Sequence, residues 1–334
     1  MDFSILSFST ETWLMLVFSV VVLTFLALDL GFLHKKAVKT SARSAAFQTL
    51  FWVCTSLAFS VLIWFFDGGT EAQRNKNTVD YLTAYLMEWA LSVDNIFVIL
   101  IILRYFKIEE KYYHKVLFWG ILGALIMRGS FITLAWQIVS HFHFILYFFG
   151  LILVYTGYKM LNDKEEDFNP GESRVLKFAR KILPFTEKTN GDRFTLRIEG
   201  KLYFTPLFLV ILLIETTDLL FALDSIPAVF AITQNPFIVY TSNIFAVMGL
   251  RAMFFLLADI MDRFYYLQKG LSFILMFIGC KMLLAIPSEN WFRNFTGIHM
   301  DIHIPASVSL IIILIVLTGS VVISLFGNAK KPNS

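Results

Sequence analysis

Apolar runs long enough to cross about 30 Å of hydrocarbon recur nine times along this chain, at residues 12–33, 45–66, 80–103, 116–136, 144–161, 204–230, 237–258, 270–286 and 307–326. A water-soluble globule has no place for so many, and the composition agrees: 57% of residues are hydrophobic, only 16% are charged, and the mean hydropathy is +0.69. The first run follows acidic Asp2 and Glu11, with no basic leader and no small-residue cleavage site, so it is expected to stay as a span. The expected fold is an all-α polytopic membrane protein of about nine transmembrane helices.

The basic residues orient such a chain. Lys35, Lys36, Lys39 and Arg43 share one side with Arg104, Lys107, Lys111 and Lys115, with nine Lys and Arg between 162 and 203, and with Arg263, Lys269, Lys330 and Lys331. Only Arg74, Lys76 and Arg293 fall on the other side. By the positive-inside rule the N-terminus is expected outside and the C-terminus in the cytoplasm. The net charge of +3 reflects this distribution and carries no nucleic-acid signature. Cys54 and Cys280, the two cysteines, lie in predicted spans without a CxxC spacing, and read as small packing residues.

Two segments of the chain resemble each other. "ALSVDNIFVI" at 90–99 aligns with "LFALDSIPAV" at 220–229, placing Asp94 on Asp224, and the acid six residues upstream places Glu88 on Asp218. Further on, Arg128 meets Arg251, and "TGYKML" meets "IGCKML", which pairs Gly157 with Gly279 and Lys159 with Lys281. Each unit holds three spans, an odd number, so spans 3–5 and spans 6–8 are expected to be inverted repeats, with a site near mid-membrane where they meet. The expected organisation is two N-terminal spans over 1–79, a first repeat over 80–161, a cytoplasmic linker over 162–203, a second repeat over 204–286, and an outer loop, last span and tail over 287–334. Within the linker, "SRVLKFARKILPF" could form a short basic amphipathic helix on the membrane surface, although a solvated tether is the plainer expectation.

Six acids, Asp29, Glu88, Asp94, Glu215, Asp218 and Asp224, fall in the interior of predicted spans. An aspartate at the centre of a membrane helix costs about 2.5–3.5 kcal/mol even on a mild insertion scale. Four bases, Arg128, Lys159, Arg251 and Lys281, share the spans. The excess of two carboxylates suits one divalent cation or two protons. Residues six apart lie about 240° apart around a helix, so Glu88 and Asp94 cannot share a face, nor can Asp218 and Asp224. Glu88, Ser92 and Asn95 do share one, as do Glu215, Asp218 and Ser225. Pro227 cannot donate to the carbonyl of Leu223, so a helix break is expected there, offering that carbonyl beside Asp224. With Asn243 and Asp29 as further candidates, the ligand set is all oxygen, which suits Mn2+, Ca2+ or Mg2+. Arg128 and Arg251 are expected to pair with these acids when no ion is present. No nucleophile and base arrangement, HExxH helix or nucleotide loop occurs, so no enzyme is expected.

At "EWALSVDNIFVI", "ETTDLLFALDSIPAVFAIT", "SNIFAVMGLRAMFFLLA" and "FIGCKML" the chain closely resembles the TerC family, tellurium-resistance-associated integral membrane proteins of the LysE-like transporter superfamily. The resemblance implies a bacterial cytoplasmic-membrane exporter of manganese, with Glu88, Asp94, Glu215, Asp218 and Asp224 in the ion path and no tightly bound cofactor. Proton exchange on the same carboxylates is a natural coupling. A Ca2+ or Mg2+ transporter is the alternative within transport; outside it stands a non-transporting scaffold that meets membrane partner proteins through the 162–203 linker.

Overall fold

The structure is a computed structural model, and it describes residues 10–33, 42–142, 144–162, 174–186, 191–258, 265–284 and 304–326. Among the described residues ten α-helices and one hairpin form: α1 (Thr10–Leu33), α2 (Ala42–Phe66), α3 (Glu71–Tyr105), α4 (Tyr113–His141), α5 (Ile145–Asn162), α6 (Arg174–Ile182), β1 (Thr195–Ile198), β2 (Lys201–Phe204), α7 (Pro206–Phe230), α8 (Pro236–Leu257), α9 (Tyr265–Leu284) and α10 (Ala306–Phe326). Among the described residues seven helices are long and apolar enough to cross a membrane. The apolar stretches of α1 and α5, Thr12–Ala27 and Ile145–Leu161, are shorter. The chain is an integral, almost wholly helical membrane protein.

The longest helix overruns its apolar segment. The hydrophobic run begins at residue 80, yet α3 starts at Glu71, because Thr70 caps it by accepting a hydrogen bond from the Gln73 N–H at 3.3 Å and Glu71 sits in the positive first turn. The polar residues 71–79 therefore continue the helix past the apolar span. The linker holds more structure than a tether: α6 forms within it, with Leu176 buried against the bundle. β1 and β2 pair antiparallel through a turn at Glu199 and Gly200, both at positive φ, which suits a two-residue hairpin.

α3 packs on α8 and α7, and α4 packs on α7 and α8, so these four helices enclose the centre of the bundle. An aromatic cluster of Phe18, Phe59, Tyr81 and Phe245 ties α1 and α2 to α3 and α8, and Tyr81 shares a 2.8 Å hydrogen bond with Ser56 of α2. α5 and α9 meet backbone to backbone. A β-carbon at Gly157 would lie 2.7 Å from the Ser272 carbonyl oxygen, and one at Gly279 would lie 2.7 Å from that of Gly150. Larger residues at these glycines would force the two helices apart.

Two expectations are corrected here. α7 stays helical through Pro227 to Phe230, with no unwinding between Leu223 and Pro227. The proline costs α7 the one hydrogen bond its missing N–H would give to the Leu223 carbonyl, and only three helical residues follow it, so little of the helix is left to be redirected. Cys54 and Cys280 are exposed and unpaired, facing outward from the bundle instead of packing within it.

Candidate functional site

Helix periodicity builds the site. On α3, Glu88, Ser92 and Asn95 lie within about 60° of one another, and all three are buried. The Ser92 hydroxyl donates to the Glu88 backbone carbonyl at 2.8 Å, turning inward to satisfy itself. Asn95 reaches across to α7, its Nδ2 lying 3.5 Å from Asp218 Oδ1. Asp218 is buried on the α7 face that meets α3 and α4.

Arg128 of α4 joins the two helices. Its guanidinium is 2% exposed, and each of its three nitrogens donates to a carboxylate. Nε donates to Asp218 Oδ2 at 3.1 Å and Nη2 to Asp218 Oδ1 at 2.9 Å, a two-pronged grip, while Nη1 donates to Glu88 Oε2 at 2.9 Å. Planar bidentate pairing is the geometry that arginine provides and lysine does not. Glu88 Oε1 has no hydrogen-bond partner among the described residues. Nor has either carboxylate oxygen of Glu215, one turn before Asp218 on the same face and shielded from solvent. Two carboxylates thus share one guanidinium and a third lies one helical turn from Asp218, so two negative charges are uncompensated if all are ionised.

A narrow cavity of about 20 Å³ adjoins Asp218, room for about one water or one bare ion. Asn95, Thr217 and Asp218 form its polar end, and Ile99, Leu117, Gly120 and Ile121 carry it towards the end of the bundle where α3 finishes and α4 begins. On the opposite side of Arg128 a dry cluster of Ala84, Ile132, Ala222, Ile226 and Val229 closes the path. Among the described residues the cavity lies on one side of the polar group and this apolar cluster on the other.

The remaining predicted residues lie elsewhere. Asp224 is half-buried and accepts a 3.1 Å hydrogen bond from Thr156 of α5. Asp94, half-buried on α3, has no hydrogen-bond partner among the described residues. Glu88 and Asp218 are brought together, while Asp94 and Asp224 are not, as the 240° offset requires. Ser225 and Asn243 are buried with unpartnered oxygens, Leu223 is exposed, Arg251 is half-buried on α8, and the side chain of Asp29 lies outside the described residues. Among the described residues no three acids, histidines or cysteines converge closely enough to hold a metal ion. The centre is occupied by Arg128 instead.

Sequence reasoning missed two features. Asp80 on α3 is fully buried, 3.3 Å from Lys76 through Oδ2 and unpartnered at Oδ1; it stands at the edge of an apolar run, where an acid looks interfacial. Gly123 of α4 lies directly against the Glu215 carboxylate, and a lone glycine in a span gives no sign of its neighbour.

This geometry defines a class, an integral membrane protein whose helices bury an ion-paired polar centre beside a small cavity. The chain belongs to the TerC family: residues 73–332 match the model described as "Integral membrane protein TerC family". Relatives include the "Putative membrane-bound redox modulator Alx" of Photorhabdus laumondii, 44% identical over 270 residues, covering 80% of this chain and 84% of that protein. The protein of the same printed name from Escherichia coli K12 is 39% identical over 316 residues, 94% of each chain. The "Uncharacterized membrane protein STKORF319" of Myxococcus xanthus is 40% identical over 313 residues, 94% of this chain and 92% of that one. No solved structure gives a significant match.

Proposed function

We propose that this protein is a secondary transporter that exports a divalent metal cation, Mn2+ foremost, across the bacterial cytoplasmic membrane in exchange for protons. The observation that carries the reading is the buried Glu88–Arg128–Asp218 group beside the cavity. Arg128 is a resident cation that neutralises the acids when no ion is bound. A metal entering the cavity competes with it for Asp218, and Glu88, Asn95 and Glu215 supply further hard oxygen donors. Asp94 and Asp224, on the other faces of α3 and α7, are later stations of ion or proton, with Asp224 held by Thr156 meanwhile.

Nine spans, the N-terminus outside and the C-terminus inside, fit this role and make the cavity open to the cytoplasm. Inverted repeats are supported by the α5–α9 seam. The alignment that pairs Gly157 with Gly279 also pairs Gly150 with Ser272, so the contacts Gly157–Ser272 and Gly279–Gly150 exchange with each other. α3 on α8 and α4 on α7 exchange likewise. Rocking of one repeat against the other would open the dry Ala84–Ile226 side and close the cavity.

The test is cell-associated Mn, Ca and Mg in manganese-sensitised cells expressing wild type, Asp218→Asn, Asp94→Asn or Asp224→Asn. Wild type is expected to lower Mn, and each variant to lose that effect while present in the membrane. Unchanged metals in every strain would sink the reading, and a Ca or Mg response without Mn would redirect it. The printed name of the relatives raises redox modulation as a second reading, favoured by exposed Cys54 and Cys280. Transport predicts that Cys54→Ser/Cys280→Ser exports Mn2+ as wild type does; redox modulation predicts loss.

A further inference from the structure

We propose that Gly123 is a positioning residue whose missing side chain forms a slot on α4, in which the Glu215 carboxylate is parked beside the cavity. What the slot serves rests on the transport reading above; the slot itself rests on geometry alone. A β-carbon at Gly123 would overlap the carboxylate, and its three nearest atoms would be Glu215 Oε1, Cδ and Oε2. Glycines that merely let helices approach look different. At Gly157 and Gly279 the obstructing atoms include neighbouring backbone, and at Gly120 a β-carbon would meet only a methyl of Ile214 at 3.3 Å.

The slot also explains an unusual accommodation. Both Glu215 oxygens are shielded without a hydrogen-bond partner among the described residues, an arrangement that costs free energy in any protein interior. Ile214, Thr217 and Asp218 line the cavity, but Glu215 does not. Its carboxylate is held one helical turn from Asp218, within a side-chain rotation of the ion's route, yet out of it. A divalent cation at Asp218 gives that carboxylate its missing partner, and Glu215 leaves the slot to add oxygen donors. The slot holds the end of a glutamate, and an aspartate, one methylene shorter, does not reach it.

The test is a size exchange. Gly123→Ala, Glu215→Asp and their double variant are compared in unfolding of the detergent-purified protein and in Mn2+ flux into proteoliposomes, with Gly249→Ala, whose β-carbon would make only ordinary contact with Trp52 at 3.6 Å, as a packing control. Gly123→Ala is expected to unfold more readily and to shift the apparent KM for Mn2+ by about tenfold, equivalent to about 1.4 kcal/mol. Glu215→Asp added to it should recover most of both losses, whereas Gly249→Ala should leave KM unchanged. Should Gly123→Ala fail to accumulate, Gly123→Ala/Glu215→Ala removes the clash from the other side; recovery of folded protein supports the slot and continued failure overturns it. Wild-type behaviour of Gly123→Ala, or a loss that shortening residue 215 does not relieve, also overturns it. A wild type that moves no Mn2+ while the two positions remain coupled in unfolding would sink the transport reading and leave the slot standing.

Discussion

Two pairs of acids occupy matching places in the two halves of this chain and meet opposite fates. Glu88 and Asp218 are drawn together on one guanidinium at hydrogen-bonding distance. Asp94 and Asp224, six residues further along the same helices, stay apart: one is held by Thr156 and the other lacks a hydrogen-bond partner among the described residues. Position on the helix decides this, since six residues turn a side chain through about 240°. The first pair faces the enclosed centre between α3, α4 and α7. The second faces away, so equal sequence similarity does not mean equal environment.

Several substitutions sharpen the contrast. The largest effect is expected from Arg128→Met, which leaves two buried carboxylates uncompensated and should cost about 3–5 kcal/mol in unfolding of the purified protein. Restoring neutrality with Glu88→Gln/Asp218→Asn should return most of it; a wild-type unfolding curve for Arg128→Met alone would erase the distinction between the pairs. Asp218→Asn comes next, losing charge-assisted hydrogen bonds worth about 1.5–3 kcal/mol. Thr156→Val removes the one hydrogen bond seen at Asp224, and a loss of about 0.5–1.5 kcal/mol is expected. Asp94→Asn and Asp224→Asn should then spare stability while stopping metal export, a separation of the two readouts that the first pair cannot show.

The smallest effect lies outside the membrane helices. Asp192 accepts a 2.8 Å salt-bridge hydrogen bond from Lys115, and this partner holds its carboxyl below the usual range. A lowered folded pKa means that the stabilisation is complete above the unfolded value and is lost as pH falls through the folded one. Because the pair is largely exposed, Asp192→Asn should leave unfolding at neutral pH almost unchanged and flatten only its acid side.

Much of this was legible in the sequence, for a physical reason: apolar runs of membrane length have few alternatives to helix. Most of the described residues of each of the nine runs lie on a helix, seven of these helices being long and apolar enough to cross a membrane, and the stripe of Glu88, Ser92 and Asn95 followed from periodicity alone. Polar structure was harder to read. The first nine residues of α3 carry no hydrophobic signal, only a capping threonine. The hairpin at 195–204 depends on a turn at Glu199 and Gly200 that composition does not announce. Pro227 suggested a break because the sequence does not say that the helix ends three residues later. The Glu215–Gly123 contact joins residues 92 positions apart, and no periodicity within one helix can report it.

The depth of the Arg128 group has an electrical consequence. Glu88 lies eight residues along α3 from Asp80, where the apolar run begins, so it sits about 12 Å into a hydrocarbon layer of about 30 Å. Moving one elementary charge through the full membrane potential involves about 2.3 kcal/mol per 100 mV. On the proposed orientation, a divalent cation that reached this depth from the cytoplasm would already have crossed more than half of that field, working against an interior-negative potential. Voltage would then act chiefly on arrival at the site, and a de-energised membrane would fill it more readily.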